Sequence, residues 1–592
     1  MRWRENSQQK EKNKMSYPLY PARDIVPLDG IWDFTLLEGE TASRMQENAF
    51  RGLEFSDLQS VPGCFDAGPR YAGRRGIGVY RKRFHLRQGG RYLLKCGGLG
   101  LTAQIFIDGR EIESAEFPYS AFTRIFHLAE AGTHEIVFAV DNRFHSEDNG
   151  ALFRPNYDFY AYGGIYRNVE LQKLPERYAI DRCHVLTRDW RTGKVILNVF
   201  LADQEDFQGP LTVSIAFDDE GEGVTETLFF HAGRGAVSGE LSVPDFKVWS
   251  PERPALHTVR IRTETDCIIE RFGIREIKTE GTRLLLNGEP LKLLGYNRHE
   301  SHPEFGPALP QALMIEDLQI LRDMHCNFIR GCHYPQNQDF LDLCDQYGFL
   351  VWEEGLAWGN PPENLTDSSF QEKQIRQTRK MIHNSFNHPS VILFGFLNEM
   401  HSFDPQAREL TEKLVREIRR LDPTRPVTFA TAFIDDDKVL DLLDVISTNL
   451  YPGWYGCGYE DASPADKIEP RLNEVAARID SGEDTRNKPW IISEIGAAGL
   501  FGCHDRLKGQ WSEEYQADYL RRVCRYVLDH SRVCGLALWQ FTDCRTYSCS
   551  PHLNRARGFN NKGSLDEYRR QKMAFDAVRE VFSSWKEQKE ED

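Results

Sequence analysis

The run Ser390-Val-Ile-Leu-Phe-Gly-Phe-Leu-Asn398-Glu399 decides the fold. Its apolar stretch is too short for a helix, follows the turn former Pro389 and ends abruptly in an amide and a carboxylate, so it reads as a short buried strand. Seven similar runs flank it: LKLLGYN from Leu291, CNFIRGCH from Cys326, FLVWEEG from Phe349, PVTFATAF from Pro426, VISTNLY from Val445, PWIISEIG from Pro489 and VCGLALWQF from Val533. The stretches between them are mostly helical. In Ser512 to Ser531, Leu520, Val523, Cys524, Val527 and Leu528 fall on one helix face. Eight strand and helix units within residues 278–592 predict a (β/α)8 TIM barrel, whose chemistry stands at the C-terminal ends of its strands.

Upstream the period changes. Residues 17–175 carry short alternating segments such as RYLLKC, AQIFID and HEIVFAV between Gly, Asp and Asn turns, which predicts an all-β domain. Residues 176–277 carry KVILNVFLA, GPLTVSIAF, HTVRIRTE and IIERFGI, a rhythm that suits a two-sheet sandwich. Residues 1–16 are expected as a disordered extension. The fold class is therefore multidomain β and α/β.

Of 592 residues, 73 are Lys or Arg and 89 are Asp or Glu, a net charge of -16 that excludes a partner held by its phosphate backbone, so no nucleic acid is expected. An apolar share of 40%, with 36 Phe, 22 Tyr and 11 Trp, is that of a globular chain. No run approaches the ~18 apolar residues of a membrane span, and the basic start lacks the apolar stretch of a signal peptide, so a cytoplasmic protein without membrane contact is expected. Thirteen cysteines contain no C-x-x-C and signal neither a disulfide framework nor a zinc ribbon. The sequon Asn364-Leu365-Thr366 is expected to stay unmodified. His299-Glu300-Ser301-His302 has the wrong spacing for H-E-x-x-H, no phosphate-cradling G-x-x-x-x-G-K-[ST] exists, and Gly97, Gly98 and Gly100 lack a βαβ context. No metal and no redox or phosphoryl cofactor is implied.

The chemistry lies in Glu399 and Glu494. Each finishes an apolar strand with no basic residue beside it in sequence, a costly place for a charge unless it is paired or functional. Two glutamates at a barrel rim suit glycoside hydrolysis, in which one protonates the leaving oxygen and the other attacks the anomeric carbon with retention, or activates water with inversion, according to their separation. The charge on one is expected to raise the pKa of the other and keep the acid protonated.

These residues resemble the glycoside hydrolases of family 2, and the resemblance runs from Tyr17 onward. It is carried by LDGIWDF, NYDFYAYGGIYR, VWSPERPAL, FGIR, LLNGEPLKLLGYNRHE, GCHYP, NHPSVILFGFLNE and SEIG. It implies a sugar-binding-like jelly roll, an immunoglobulin-like β-sandwich and a catalytic TIM barrel, with Glu399 as acid/base, Glu494 as nucleophile and retention. Within the family the chain looks most like the β-glucuronidases, because Asn560 and Lys562, in GFNNKG after the last strand, resemble the Asn-x-Lys pair that holds a uronic acid carboxylate. The following Ser564-Leu-Asp-Glu567 reads as a capping box opening the last helix. A bond to a charged group is worth ~1.5–3 kcal/mol, which a neutral hexose could not repay.

By the same resemblance Asp158 is the acid lent to the sugar hydroxyls by a loop of the first domain. His333 lines the sugar site, Tyr451 and Tyr455 stand near the nucleophile, Trp539 lies under the ring, and Asn398 bonds the 2-hydroxyl. There are departures. Ala556 stands four residues before Asn560, where many relatives have arginine, with Arg555 and Arg557 on either side; the choice between these two for the carboxylate stays open, with Arg557 taken as the candidate. Ile495 follows Glu494 where tyrosine is frequent, and the stretch from Gly355 to Phe370 is short, which predicts an open aglycone side. The expected activity is retaining exo-hydrolysis of small-molecule or oligosaccharide β-glucuronides by a homo-oligomer. No cofactor is required, although some family members bind an accessory flavin elsewhere. The alternatives are a β-galacturonidase, a neutral-sugar β-galactosidase or β-mannosidase, and a non-catalytic carbohydrate-binding protein.

Overall fold

A computed structural model describes residues 17–47, 50–144, 152–154, 157–202, 207–218, 223–457, 463–547 and 555–591. The N-terminal extension expected over residues 1–16, Asn156 of the NYDFYAYGGIYR motif and Cys549 lie outside them.

Two antiparallel sheets form first. One has six strands, in spatial order Asp57–Val61, Gly30–Leu37, Ile77–Leu86, Gly132–Asp141, Thr102–Ile107 and Arg110–Ala115. The other has four: Ile25–Pro27, Val169–Lys173, Gly90–Cys96 and Phe122–Leu128. Residues of alternating register from both, among them Trp32, Phe34, Tyr80, Leu94, Ile136, Phe138 and Leu171, share one apolar core. Next comes a seven-stranded antiparallel sheet between Ile180 and Phe272, with Val185, Leu197, Val213, Ile215, Val259, Ile261 and Ile268 in its core.

The eight runs that read as buried strands form one parallel sheet: β1 (Leu293–Arg298), β2 (Phe328–Gly331), β3 (Leu350–Glu354), β4 (Val391–Gly395), β5 (Ala430–Thr431), β6 (Ile446–Asn449), β7 (Trp490–Ile495) and β8 (Val533–Leu538). β1 pairs with both β2 and β8. A parallel bridge between Phe394 and Val427 joins the edges at β4 and β5, so the sheet closes into a barrel. A small antiparallel sheet from Ile277 to Leu291 plugs the N-terminal end, where Ile277, Leu284 and Leu286 pack on the strand-start residues Leu293, Phe328 and Leu350. The opposite end is left for the site.

Among the described residues, seven helices of ten residues or more alternate with these strands: α1 (Gln311–Asp323), α2 (Gln338–Tyr347), α3 (Ser368–Ser385), α4 (Ala407–Leu421), α5 (Ile468–Ser481), α6 (Glu513–Asp529) and α7 (Met573–Glu591). α6 buries Leu520, Val523, Cys524 and Val527, as its period predicts, and the Ser512 side chain caps it by accepting from the Tyr515 N–H at 3.1 Å. The capping-box reading of Ser564 to Glu567 is corrected by the structure, because α7 begins only at Met573. Asp566 instead turns the chain, its carboxylate accepting from the backbone N–H groups of Tyr568 and Arg570 at 2.9 Å each, while Glu567 pairs with Arg557. No helix among the described residues is long and apolar enough to cross a membrane, and the twelve described cysteines are all free.

Residues 157–160 of the first unit reach the barrel mouth. They are tied there by the Tyr160 N–H on the Arg545 carbonyl at 2.9 Å, the Thr546 hydroxyl on the Tyr157 carbonyl at 3.2 Å, and the Tyr157 hydroxyl under the Trp358 N–H at 3.1 Å. This is how Asp158 arrives beside residues four hundred positions away in the chain.

Candidate active site

At the C-terminal end of the barrel lies a cavity of about 280 Å³, lined by Asp158, Phe159, His333, Trp358, Asn398, Glu399, Ala432, Tyr451, Tyr455, Glu494, Trp539 and Arg555. A larger cavity of about 520 Å³ lies where the three units meet, and neither glutamate borders it.

Glu494, in β7, stands on the sealed floor at 3% exposure. One of its oxygens accepts from the Arg330 guanidinium at 2.8 Å and the other from the Tyr451 hydroxyl at 2.6 Å. Arg330 is fully buried in β2 and pairs with Glu354 at the end of β3 at 2.8 Å, so its orientation is fixed from two sides. Burial pushes the Glu494 carboxyl up to about 8, the charge of Glu399 adds to this, and Arg330 and Tyr451 oppose it. The raised carboxyl is thus that of the residue read from the sequence as the nucleophile, and burial is the main cause.

Glu399 is set by a sharp bend just past β4. Leu397 and Glu399 both have positive φ, 43° and 50°, a conformation uncommon for side chains with a Cβ, and backbone bonds from Asn398 to Ala357 at 3.0 Å and from Glu399 to Ala430 at 2.9 Å hold it. The carboxylate accepts from the Trp358 indole at 2.7 Å and from the Asn449 amide at 2.8 Å. The Asn398 amide oxygen accepts from Arg330 at 2.9 Å and Asn449 at 3.1 Å. His333 stacks on Trp539 with centroids 5.2 Å apart, its Nδ1 2.6 Å from Glu354 and its Nε2 3.7 Å from Glu494.

Arg555 brings a cation to the lining, and Lys562 adds a second behind Tyr455. Arg555 forms a bidentate ion pair with Asp158, which also accepts from the Asn560 amide at 2.6 Å. Lys562, 1% exposed, donates to the Tyr455 hydroxyl at 2.8 Å, lies over the Tyr455 ring at 4.7 Å, and has no carboxylate ion-pair partner among the described residues. Burial first, and the neighbouring Arg555 charge second, hold the Lys562 ammonium well below the usual lysine range. A buried ammonium without an anion costs free energy that a bound anion would recover.

Of the residues taken from the sequence, Asp158, His333, Asn398, Glu399, Tyr451, Tyr455, Glu494 and Trp539 line the cavity, Asn560 and Lys562 stand behind Asp158 and Tyr455, and Arg557 does not reach it. The Arg557 guanidinium bonds Glu567 at 2.9 Å and is half exposed, and Arg555 is the arginine that borders the cavity. Sequence reading also misses Arg330, Glu354, Trp358 and Asn449. Arg330 and Glu354 are charges inside apolar strands, the same signal that found the two glutamates. Trp358 and Asn449 carry no local signal, because only the bend at Leu397 to Glu399 brings the carboxylate to them.

Residues 277–584 match the model for the TIM barrel domain of glycosyl hydrolases family 2. The β-glucuronidase of Canis lupus familiaris is 29% identical over 97% of this chain and 92% of its own length, and that of Paenibacillus borealis is 27% identical over 95% and 97%. Among solved structures, a family 2 β-galacturonidase from Eisenbergiella tayi bound to galacturonate is 31% identical over 95% of this chain and 98% of its own, with a TM-score of 0.85. A β-glucuronidase of an uncultured Clostridium sp. is 25% identical over 95% and 98%, with a TM-score of 0.83. With a two-glutamate site at the barrel mouth and a family match over more than half its length, the chain is a glycoside hydrolase and belongs to glycosyl hydrolases family 2.

Proposed function

We propose that the chain is a retaining, exo-acting β-glucuronidase that releases glucuronic acid from β-D-glucuronides by double displacement. The observation that carries the uronic acid is the buried Lys562 ammonium, which has no carboxylate ion-pair partner among the described residues and stands directly behind Tyr455, a lining residue of the two-glutamate cavity, while Arg555 lines that cavity and Asn560 bonds Asp158. A sugar carboxylate there recovers the cost of burial through charge-assisted bonds, while a hydroxymethyl group leaves the ammonium uncompensated.

With the uronate held, Trp539 and His333 form the floor and Glu494 faces the anomeric carbon. The double displacement needs one proton on the pair. As positive charge develops at that carbon, the negative charge is favoured on Glu494, held by Arg330 and Tyr451, which leaves the proton to Glu399 for the departing oxygen. Once the glycosyl-enzyme has formed, Glu399 takes a proton from water and the ester is hydrolysed. Asn398, whose amide oxygen is occupied by Arg330 and Asn449, offers its N–H to the 2-hydroxyl.

A second reading, a β-galacturonidase, is favoured by the Eisenbergiella tayi structure, more similar in sequence than the β-glucuronidase structure described. Both uronides need the same cation. Release of nitrophenol from 4-nitrophenyl β-D-glucuronide and from its C4 epimer separates them: faster turnover of the glucuronide supports the first reading, faster turnover of the galacturonide the second. Tight sugar binding with neither hydrolysed would favour a non-catalytic binding protein.

A further inference from the structure

His299, whose spacing to His302 excludes an H-E-x-x-H pair, meets two other ligand types in space. One ligand atom from each of His299, Cys332 and His333 lies within 4.8 Å of the others, and all three residues are buried. His299 is 3% exposed, its Nε2 is buried with no hydrogen-bond partner, and its Nδ1 is 3.2 Å from the Tyr334 hydroxyl. An orphaned buried nitrogen of this kind is uncommon. His333 is bound through Nδ1 to Glu354 at 2.6 Å, which turns Nε2 toward Glu494. A carboxylate on one ring nitrogen that presents the other outward is the usual outer shell of a metal-binding histidine. Two imidazoles and a thiolate form a borderline-soft set that suits zinc and disfavours magnesium or calcium.

We propose that His299, Cys332 and His333 form an inhibitory site for a thiophilic divalent cation, with zinc as the natural fit, and that the bound ion takes Glu494 as its fourth ligand. The Glu494 oxygen is 3.7 Å from His333 Nε2, within reach of an ion bonded to that nitrogen. Zn–N and Zn–S bonds of ~2.0–2.3 Å set ligand separations of roughly 3.5 Å, so side-chain rotation closes the present spread. No electron moves: the Cys332 thiol loses its proton to solvent, the sulfur bonds the metal, and the nucleophile is withdrawn from the sugar. Metal binding itself does not depend on which uronide is cleaved.

The test titrates the purified full-length protein, stripped with a chelator, with cobalt chloride and then zinc chloride. The expected result is one saturable site with a near-ultraviolet thiolate-to-cobalt band, displaced by zinc, and loss of glycoside hydrolysis in zinc that EDTA restores. Cys332→Ser keeps the metal-free activity, lacks the band and stays active in zinc; His299→Gln serves the same purpose if the serine variant does not fold. Absence of the band in the unaltered protein, or a variant inhibited by zinc at the same midpoint, overturns the proposal. If no aryl glycoside is hydrolysed at all, the assignment of function fails while the cobalt spectrum still decides the metal site.

Discussion

Arg330 and Glu494 meet at 2.8 Å on the barrel floor, with 0% and 4% of their side chains exposed. A second carboxylate, Glu354, occupies the other edge of the same guanidinium at 2.8 Å. Arg330 therefore cannot swing away when a sugar enters, and Glu494 is presented in one orientation. In the proposed mechanism, that rigidity and the Tyr451 hydroxyl suit Glu494 to the nucleophile's role and leave Glu399, at the mouth, for the leaving group and water.

The roles have a pH signature. The active form of the pair holds one proton, so kcat/KM falls on the alkaline side as that proton is lost, near the value of about 8 to which Glu494 is pushed. The Tyr451 hydroxyl stabilises the carboxylate and lowers this value. Tyr451→Phe is expected to move the alkaline limb upward by about one unit and to lower kcat. A limb that stays in place or moves down would contradict the assignment, and a pH profile of kcat/KM for the two proteins measures it.

Glu399→Ala is expected to lose ~10²–10⁴-fold in kcat with a poor leaving group and much less with nitrophenol, whose departure needs little protonation. A series of aryl glycosides of graded leaving-group acidity gives the comparison. Equal losses across the series would remove Glu399 from the acid role.

Arg555 and Arg557 are two residues apart in sequence and opposite in placement. Arg555→Ala frees Asp158 at the cavity wall and should cost ~10–150-fold in kcat/KM, the worth of a charged hydrogen bond, whereas Arg557→Ala should leave it nearly unchanged. Parallel kinetics decide between them, and a larger loss at Arg557 would reverse the correction made on structural grounds.

Asp317, in α1, is buried between Arg298 of β1 at 2.8 Å and Arg569 at 3.0 Å. These partners hold its carboxyl below the usual aspartate range despite burial. A depressed folded-state pKa adds stability that is fully present above the unfolded value, ~3.9, and disappears as pH falls through the folded one. Asp317→Asn should therefore cost about 3–5 kcal/mol at neutral pH by leaving two arginines uncompensated, and the gap to the unaltered protein should narrow in acid. Denaturant unfolding at the two pH values tests both parts.

The barrel was legible because each of its strands is a short apolar run cut off by a polar residue, and the glutamates were legible because they stand at two of those cuts. Arg330 and Glu354 obey the same rule but read as ordinary ion-pair formers until their geometry is known. Trp358 depends on a positive-φ bend at Leu397 and Glu399 that no periodicity announces. Choosing between Arg555 and Arg557 required the local turn, where Arg557 itself has a φ of 59° and points to Glu567. The capping-box reading of Ser564 to Glu567 failed because a side-chain turn at Asp566 competes for the same backbone donors that a helix start would use.

The account rests most heavily on Lys562 meeting an anionic sugar. The direct measurement is the ratio of kcat/KM for 4-nitrophenyl β-D-glucuronide to that for 4-nitrophenyl β-D-glucoside, in the unaltered protein and in Lys562→Met. The account predicts a strong preference for the uronide that the substitution reduces by ~10–150-fold, through loss of glucuronide turnover alone. Equal preference for the glucoside in the unaltered protein, or a ratio that the substitution leaves unmoved, would contradict it.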